Sequence, residues 1–364
     1  MSPCVRLHTA GVILAFVPGA TAPGRVSGFA HGVRARPVTF DRVMRCTRGT
    51  SVTIAAAATI LLGSSTALAA GRAPVRPSLV IGMSALETQV LLDRSGFSPG
   101  EIDGGPGPNT GRALTAFKTA RGLAPGTPIR KALLDAFGVN AAEPVVPYTI
   151  TEADAAGPFS PAIPEDMTEK SKLRGLYFSS VLEALGERFH AAPALLKQLN
   201  PGSRFMAGER IRVPNTSVEE PATQGSGRAS KVVVSKGTSA LTVYDRNGTV
   251  IFHAPVTSGS EHDSLPIGNW AVTAVVRNPT FNYNPALFWD AEPGNAKATV
   301  PAGPNNPVGV VWIDINKPHY GLHGTPEPGR VGYSASHGCV RLTNWDATRL
   351  AALVTKGTLV VFEE

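Results

Sequence analysis

His323, His337, Cys339 and Arg341 fall close together near the C-terminus, in the stretches Gly321-Leu322-His323-Gly324-Thr325 and Ser334-Ala335-Ser336-His337-Gly338-Cys339-Val340-Arg341-Leu342. A thiol becomes a useful nucleophile as its thiolate, which needs a base or a positive charge nearby. Imidazole supplies the base and guanidinium the charge, so these residues are the material of a Cys/His acyl-transfer site. Taken singly, each has an ordinary explanation, because a lone Cys is more often inert and a lone His more often structural. Grouped, and interleaved with Gly, Ser and Ala that permit close backbone approach, they are hard to account for as packing.

Their positioning falls to a β-rich domain. If residues 336–342 run extended, side chains alternate between faces, so His337, Cys339 and Arg341 project to one side while Val340 and Leu342 enter the core. Beyond residue 229 the apolar period is two. Lys231 to Val234, Ala240 to Tyr244, Thr249 to Pro255, Trp270 to Val276, Val308 to Ile315 and Thr358 to Phe362 read as strands, with Asp245-Arg246-Asn247-Gly248 turning between the second and third. One helix is predicted after the motif: Thr343-Asn344-Trp345-Asp346 reads as a capping box, Trp345, Leu350, Leu353 and Val354 form the apolar stripe, and Gly357 stops it.

The His-Gly-Thr of 323–325 and the Ser-His-Gly-Cys-hydrophobic-Arg of 336–341 resemble the signature of the YkuD-type L,D-transpeptidases. The likeness extends to Thr257-Ser258-Gly259, Leu265-Pro266-Ile267-Gly268 and Asn306-Pro307-Val308-Gly309, and covers residues 229–364. Leu265 departs from the Thr that the family usually places before Pro-x-Gly, a change expected to touch turn structure more than chemistry. The resemblance implies a catalytic domain of β-sandwich type with one C-terminal helix. It implies Cys339 as nucleophile, His323 as base, the Gly324 carbonyl as the group orienting the imidazole, and the N–H groups of Gly338 and Cys339 as an oxyanion hole. Ser336 and His337 support that site, Tyr320 binds substrate, and Arg341 holds a substrate carboxylate or stabilises the thiolate. The implied substrate is a peptidoglycan stem, cleaved between the L-centre of its third residue and D-Ala, with the acyl group passing to an amine through a thioester. No cofactor and no metal follow from that mechanism.

The 364 residues are 43% hydrophobic and 17% charged, which suits a soluble protein of two or three domains. The formal net charge is +7, but residues 1–69 hold seven Arg against one Asp and no Lys or Glu. The rest of the chain is therefore nearly neutral, and a nucleic-acid partner loses its main support. Arg45 and Arg48 precede an apolar run from Val52 to Leu62, and the following residues end in Ala67-Leu68-Ala69. That is the three-region pattern of a secretory signal peptide, with an apolar run short for a membrane span. A signal normally opens a chain. Residues 1–43 accordingly read as a mis-annotated extension, 44–69 as the signal and 70–82 as a linker, the mature protein starting near Ala70 and exported to periplasm or cell wall with no stable membrane span. Cys4 and Cys46 then fall away, which leaves Cys339 as a free thiol.

Residues 83–138 read as a small three-helix domain. Leu86, Val90 and Leu91 fit one helix face, and Asn109 or Thr110 caps a second helix carrying Ala113, Leu114, Phe117 and Ala120. Thr127-Pro128 opens a third, which buries Ile129, Leu133 and Phe137 before Gly138. Gly-Phe at 96–97, Ile-Asp-Gly at 102–104 and the helix that follows resemble the peptidoglycan-binding type 1 repeat. Residues 148–214 read as an α+β module in which Ser180 to Glu183 is a capping box and a second helix runs from about Ala192 to Leu199. Tyr148 to Thr151, Leu199-Asn200-Pro201 and Ile211 to Pro214 resemble a LysM motif, departing from it at Ala153 and in a long Pro-rich insertion over 155–178. Residues 215–229 are a linker, and 230–364 the catalytic domain.

The partners implied are stem peptides and glycan, with a lipoprotein amine, a D-amino acid, a second stem or water open as acceptor. An L,D-carboxypeptidase using the same residues is the nearest alternative. A non-catalytic wall-binding protein is the alternative of another class. A zinc hydrolase built on His319, His323, His337 and Cys339 is disfavoured by Gly321 between the first two and by the lack of an adjacent carboxylate. A papain-like protease would carry its Cys before its His. The modules before residue 215 are expected to localise the enzyme without entering its chemistry, so that a fragment beginning near Ser230 keeps turnover.

Overall fold

A computed structural model describes residues 83–135, 143–216, 228–292, 294–334, 336 and 338–364. The expected leader and linker before residue 83, Phe137, Gly138 and His337 lie outside the described residues. Ser84 opens the first helix, α1 (Ala85–Arg94), its hydroxyl accepting from the Glu87 N–H. Helix α2 (Pro108–Ala120) begins with Pro in its first turn, and Gly107 rather than Asn109 or Thr110 sits at the cap. Asn109 is used elsewhere, donating to the Val331 carbonyl at 2.9 Å. Helix α3 (Ile129–Asp135) completes the group, and Leu91, Leu92, Phe97, Ala113, Phe117, Ile129 and Leu133 form its core. The predicted α1 face divides, because Leu86 and Val90 pack into the next unit and not with Leu91.

That next unit pairs β1 (Val145–Thr149) antiparallel with β2 (Arg210–Pro214) around α4 (Glu152–Ala155), α5 (Met167–Ser171), α6 (Val181–Arg188) and α7 (Pro193–Leu199). The reciprocal capping box lies at Thr151 and Asp154. At α6 the Ser180 hydroxyl caps the Glu183 N–H, but the Glu183 carboxylate turns to Ser179 and to Asn305 instead of closing a box.

The remaining chain builds nine strands into one hydrogen-bonded sheet. In chain order these are β3 (Lys231–Ser235), β4 (Ala240–Tyr244), β5 (Val250–Pro255), β6 (Thr257–Ser258), β7 (Gly268–Arg277), then the small β8 (Phe281–Tyr283) and β9 (Ala298–Val300) pair, β10 (Val311–Ile315), β11 (Gly321–His323), β12 (Val340–Arg341), helix α8 (Asn344–Leu353) and β13 (Leu359–Glu363). The spatial order is β5-β4-β3-β13-β7-β10-β11-β12-β6. The expectation of a sandwich is modified here: the two halves are joined through long β7, whose first residues pair with β13 and whose last pair with β10. Val232, Leu241 and Phe252 of one half share a core with Ile313, Leu322 and Val340 of the other and with Leu350 of α8.

The units are packed against each other. Gly96 and Ser98 exchange backbone hydrogen bonds with His253 on edge strand β5 at 2.8 and 2.7 Å. Ile102 does the same with His190 and Ala192. Buried Asp93 accepts both arms of Arg349 from α8, at 2.7 and 3.0 Å, and contacts His190 at 3.1 Å, whose ring stacks on Trp345. Ser98 donates to Asp346 at 2.8 Å. Asp346 therefore serves this junction, and its N–H alone is capped by Thr343, so the expected capping box is one-sided.

Candidate active site

Leu322 and Val340 are both fully apolar and buried, and their burial brings β11 alongside β12 in parallel. His323 and Arg341 become register partners, with Cys339 one residue before β12. The extended run expected over 336–342 holds for Val340–Arg341, since Gly338 breaks it with φ +95°. A Cβ on Gly338 would lie 2.7 Å from the Tyr320 ring, so Tyr320 closes directly over the residue before the thiol. Only glycine fits both demands.

Ser336 ties this turn to the sheet. Its hydroxyl donates to the Cys339 carbonyl at 2.7 Å and accepts from the Gly259 N–H at 2.7 Å, while its own N–H meets the Gly259 carbonyl at 2.9 Å. Leu265 is buried in the main core, with its backbone nitrogen close against Gly259.

His323 is buried, and its Nδ1 lies 2.6 Å from the Gly324 carbonyl. A carbonyl only accepts, so the proton sits on Nδ1 and the Nε2 lone pair is left as a base. Burial, with Arg341 adding to it, lowers the His323 pKa to about 3, so the ring is neutral at ordinary pH. Burial pushes the Cys339 thiol up to about 11, although the Gly321 N–H and Arg341 pull the other way. The thiol donates to the His319 carbonyl at 3.6 Å. Burial lowers the Arg341 pKa, and Cys339 and Glu327 raise it. Among the described residues no group of three His, Cys, Asp or Glu side chains is arranged to hold a metal.

Two contributors escaped the sequence reading. Trp312 lies opposite His323 across β10 and β11 and stacks on its ring, 5.4 Å between centroids. The only signal was its place on the polar face of an alternating strand. Asn344 accepts from the Val310 N–H and donates to the Pro304 carbonyl, and a Cβ on Gly309 or Gly324 would fall 2.0 or 2.2 Å from its Oδ1. It locks the loop that carries the Gly324 carbonyl. His337 lies outside the described residues.

Residues 229–362 match the family model of YkuD, the L,D-transpeptidase catalytic domain. This part of the chain is thus similar to an L,D-transpeptidase catalytic domain. The chain is similar to the putative L,D-transpeptidase YkuD of Bacillus licheniformis, 29% identical over 49% of this chain and 91% of the relative. It is also similar to the probable L,D-transpeptidase YbiS of Escherichia coli K12, 29% identical over 50% of this chain and 59% of that one. A solved structure of L,D-transpeptidase 3 from Mycobacterium tuberculosis, in complex with a faropenem-derived adduct, aligns at 19% identity and a TM-score of 0.32 over 37% of this chain and 60% of that chain.

Proposed function

We propose that the protein is an exported peptidoglycan L,D-transpeptidase acting through a thioester on Cys339. The observation that carries this reading is the pairing of β11 with β12, which sets a neutral, Nδ1-anchored His323 beside the strand that Cys339 leads into, within the matched domain. The donor stem presents the carbonyl before D-Ala to Sγ. As the C–S bond forms, the thiol proton passes to His323 Nε2, and the N–H groups of Gly338 and Cys339 receive the oxyanion. Losing one such donor costs roughly 3 to 4 kcal/mol of barrier. The C–N bond then breaks, and the imidazolium returns its proton to the departing amine of D-Ala. An acceptor amine next gives a proton to His323 while it attacks the thioester, and the thiol reforms.

Arg341 steadies the developing thiolate or a substrate carboxylate, Tyr320 bounds the donor side, Ser336 holds the turn, and His337 shapes it. The helical unit and the unit of β1, α4 to α7 and β2 are read as peptidoglycan-binding and LysM-like modules, which raise the local concentration of an insoluble substrate. Intact-protein mass spectrometry after exposure to a disaccharide-tetrapeptide or a carbapenem tests the reading. The parent protein should gain an acyl adduct and Cys339→Ala none, and His323→Ala should acylate roughly 100-fold more slowly. An adduct on Cys339→Ala, or turnover lost to a chelator but spared by thiol alkylation, would overturn it in favour of zinc.

A further inference from the structure

The joins between units described above end on edge strand β5 and on α8. The insertion over 155–178 makes another at residues 302–305: Leu176 donates to the Ala302 carbonyl and accepts from the Asn305 N–H, both at 3.0 Å, and Gly303 leaves no room for a side chain beside the Leu176 oxygen. One further join lands on the catalytic motif itself. The chain from Thr325 to Ser336, with a 3-10 turn at Pro328–Arg330, links the histidine half of that motif to the cysteine half. The first turn of α2 grips it. Buried Asn109 donates from Nδ2 to the Val331 carbonyl at 2.9 Å and accepts from Arg112 at Oδ1, and Arg112 also donates to the Gly332 carbonyl at 3.4 Å. The Asn109 backbone N–H, free of any intrahelical partner in this first turn, donates to the Tyr333 hydroxyl. Contact is close throughout: a Cβ on Gly107 would fall 3.1 Å from that hydroxyl, and one on Gly329 would fall 2.8 Å from Oε2 of Glu101. Gly332, at φ +82°, leaves no room for a side chain beside Asn109 Oδ1.

Thr257 holds the same loop from the opposite side. Its hydroxyl accepts from the Gly332 N–H at 3.0 Å and donates to the Arg330 carbonyl at 3.4 Å. Thr257 pairs with Arg341 between β6 and β12, and Arg341 pairs with His323 between β12 and β11. Four residues past Gly332, the Ser336 hydroxyl ties the Cys339 carbonyl to Gly259. The loop is thus a strap drawn between α2 and β6, and its far end sets the turn that carries the thiol.

We propose that Asn109 is a positioning residue for the acyl-transfer reaction, acting with Arg112 through Val331 and Gly332 to hold the turn that presents Cys339 to His323. The proposal rests on the transpeptidase reading. It gives the helical unit, read above as a wall-binding module, a second task in the geometry of the thiol. Asn109 fits that task because its side-chain donor and its main-chain donor both go to the loop, and its acceptor goes to the arginine that braces it, while Gly107 occupies the cap of α2. Misplacing reacting atoms by about 1 Å costs on the order of 100-fold in rate, so freeing one side of the strap acts on the chemical step and not on affinity for the acyl donor.

Single-turnover acylation by a carbapenem, read by mass spectrometry of the Cys339 peptide at a series of concentrations, separates three quantities: the rate at saturation, the half-saturating concentration and the fraction of protein that reacts. Asn109→Ala should lower the rate at saturation by about tenfold, change the half-saturating concentration by less than about twofold and leave the reactive fraction as it was. Arg112→Ala should slow the same step by about threefold, and Arg112→Lys, which keeps a donor, should recover most of that loss. Leu133→Ala loosens the core of the same helical unit without touching the loop, and should leave the rate at saturation unchanged. A loss confined to the reactive fraction, equal slowing by Leu133→Ala, or unchanged rates in both Asn109→Ala and Arg112→Ala would overturn the proposal. Should Asn109→Ala fail to fold, the two Arg112 variants decide the matter on the same criteria. Should the parent protein form no adduct, the transpeptidase reading fails by itself, and iodoacetamide then reports on the strap alone. The half-buried thiol should alkylate at least about threefold faster in Arg112→Ala than in the parent, and equal rates would overturn the positioning role.

Discussion

The proposed nucleophile and base are both neutral at ordinary pH. His323 is held down at about 3 and Cys339 up at about 11, in both cases chiefly by burial, so a thiolate–imidazolium pair is not the resting state. The proton has to leave sulfur as the new bond forms. The base is lost only as pH falls towards 3, and the thiol ionises only as pH climbs towards 11. Carbapenem acylation of Cys339, followed by mass spectrometry, should therefore vary less than about threefold between pH 5 and 9. A preformed ion pair would instead give an inflection inside that window. The proposed site could be read from the sequence because its Cys, His and Arg fall in one short stretch. Trp312 was not, because its stacking on His323 comes from strand pairing between residues that no local pattern links.

Helix α8 carries the junction. Asp346 is fully buried, and burial raises its pKa from 3.8 to about 7, while Arg349 and His190 hold the Asp93 carboxyl well below the usual range against its own burial. A raised carboxyl keeps a proton in the folded state that it loses on unfolding, so stability falls as pH rises from about 4 to 7. Glu101 and Glu187 act in the same sense, raised by burial to about 7 and about 8. Asp93 acts oppositely, its stabilisation present above 3.8 and lost only in strong acid. Melting temperature should decline from pH 5 to pH 8, and Asp346→Asn should flatten that decline. Asp93→Ala, measured by urea unfolding, should cost about 3 to 5 kcal/mol, because it strands Arg349 and His190 without their partner. The helix itself was readable from its cap and stripe. The use of Asp346 was not, since the same letters fit a capping box, and only the packing of Ser98 against it decides otherwise.

Across the whole molecule the mutual packing of the successive units was not legible, because the hydrogen bonds and ion pairs that join them are long-range. A fragment from Ser230 onward would lose the bonds from Gly96 and Ser98 to β5, the Asp93 clamp on Arg349 and the insertion against residues 302–305. It should melt well below the full described chain, and its turnover on soluble stems should fall with it, as a thermal-shift assay run beside a D-Ala release assay will show. Turnover and melting point equal to those of the full chain would restore the picture of a self-sufficient catalytic domain.

The seam between Gly303 and Leu176 bears on how such a protein can be recombined. A backbone carbonyl of the insertion, that of Leu176, lies where a side chain at 303 would be, so the insertion seats closely on that surface. Grafting residues 230–364 behind a foreign anchor would leave a bare groove at 301–306, whereas a graft that carries residues 83–216 along would keep the bonds that join the units. The unit of exchange in this chain is larger than the unit that carries Cys339.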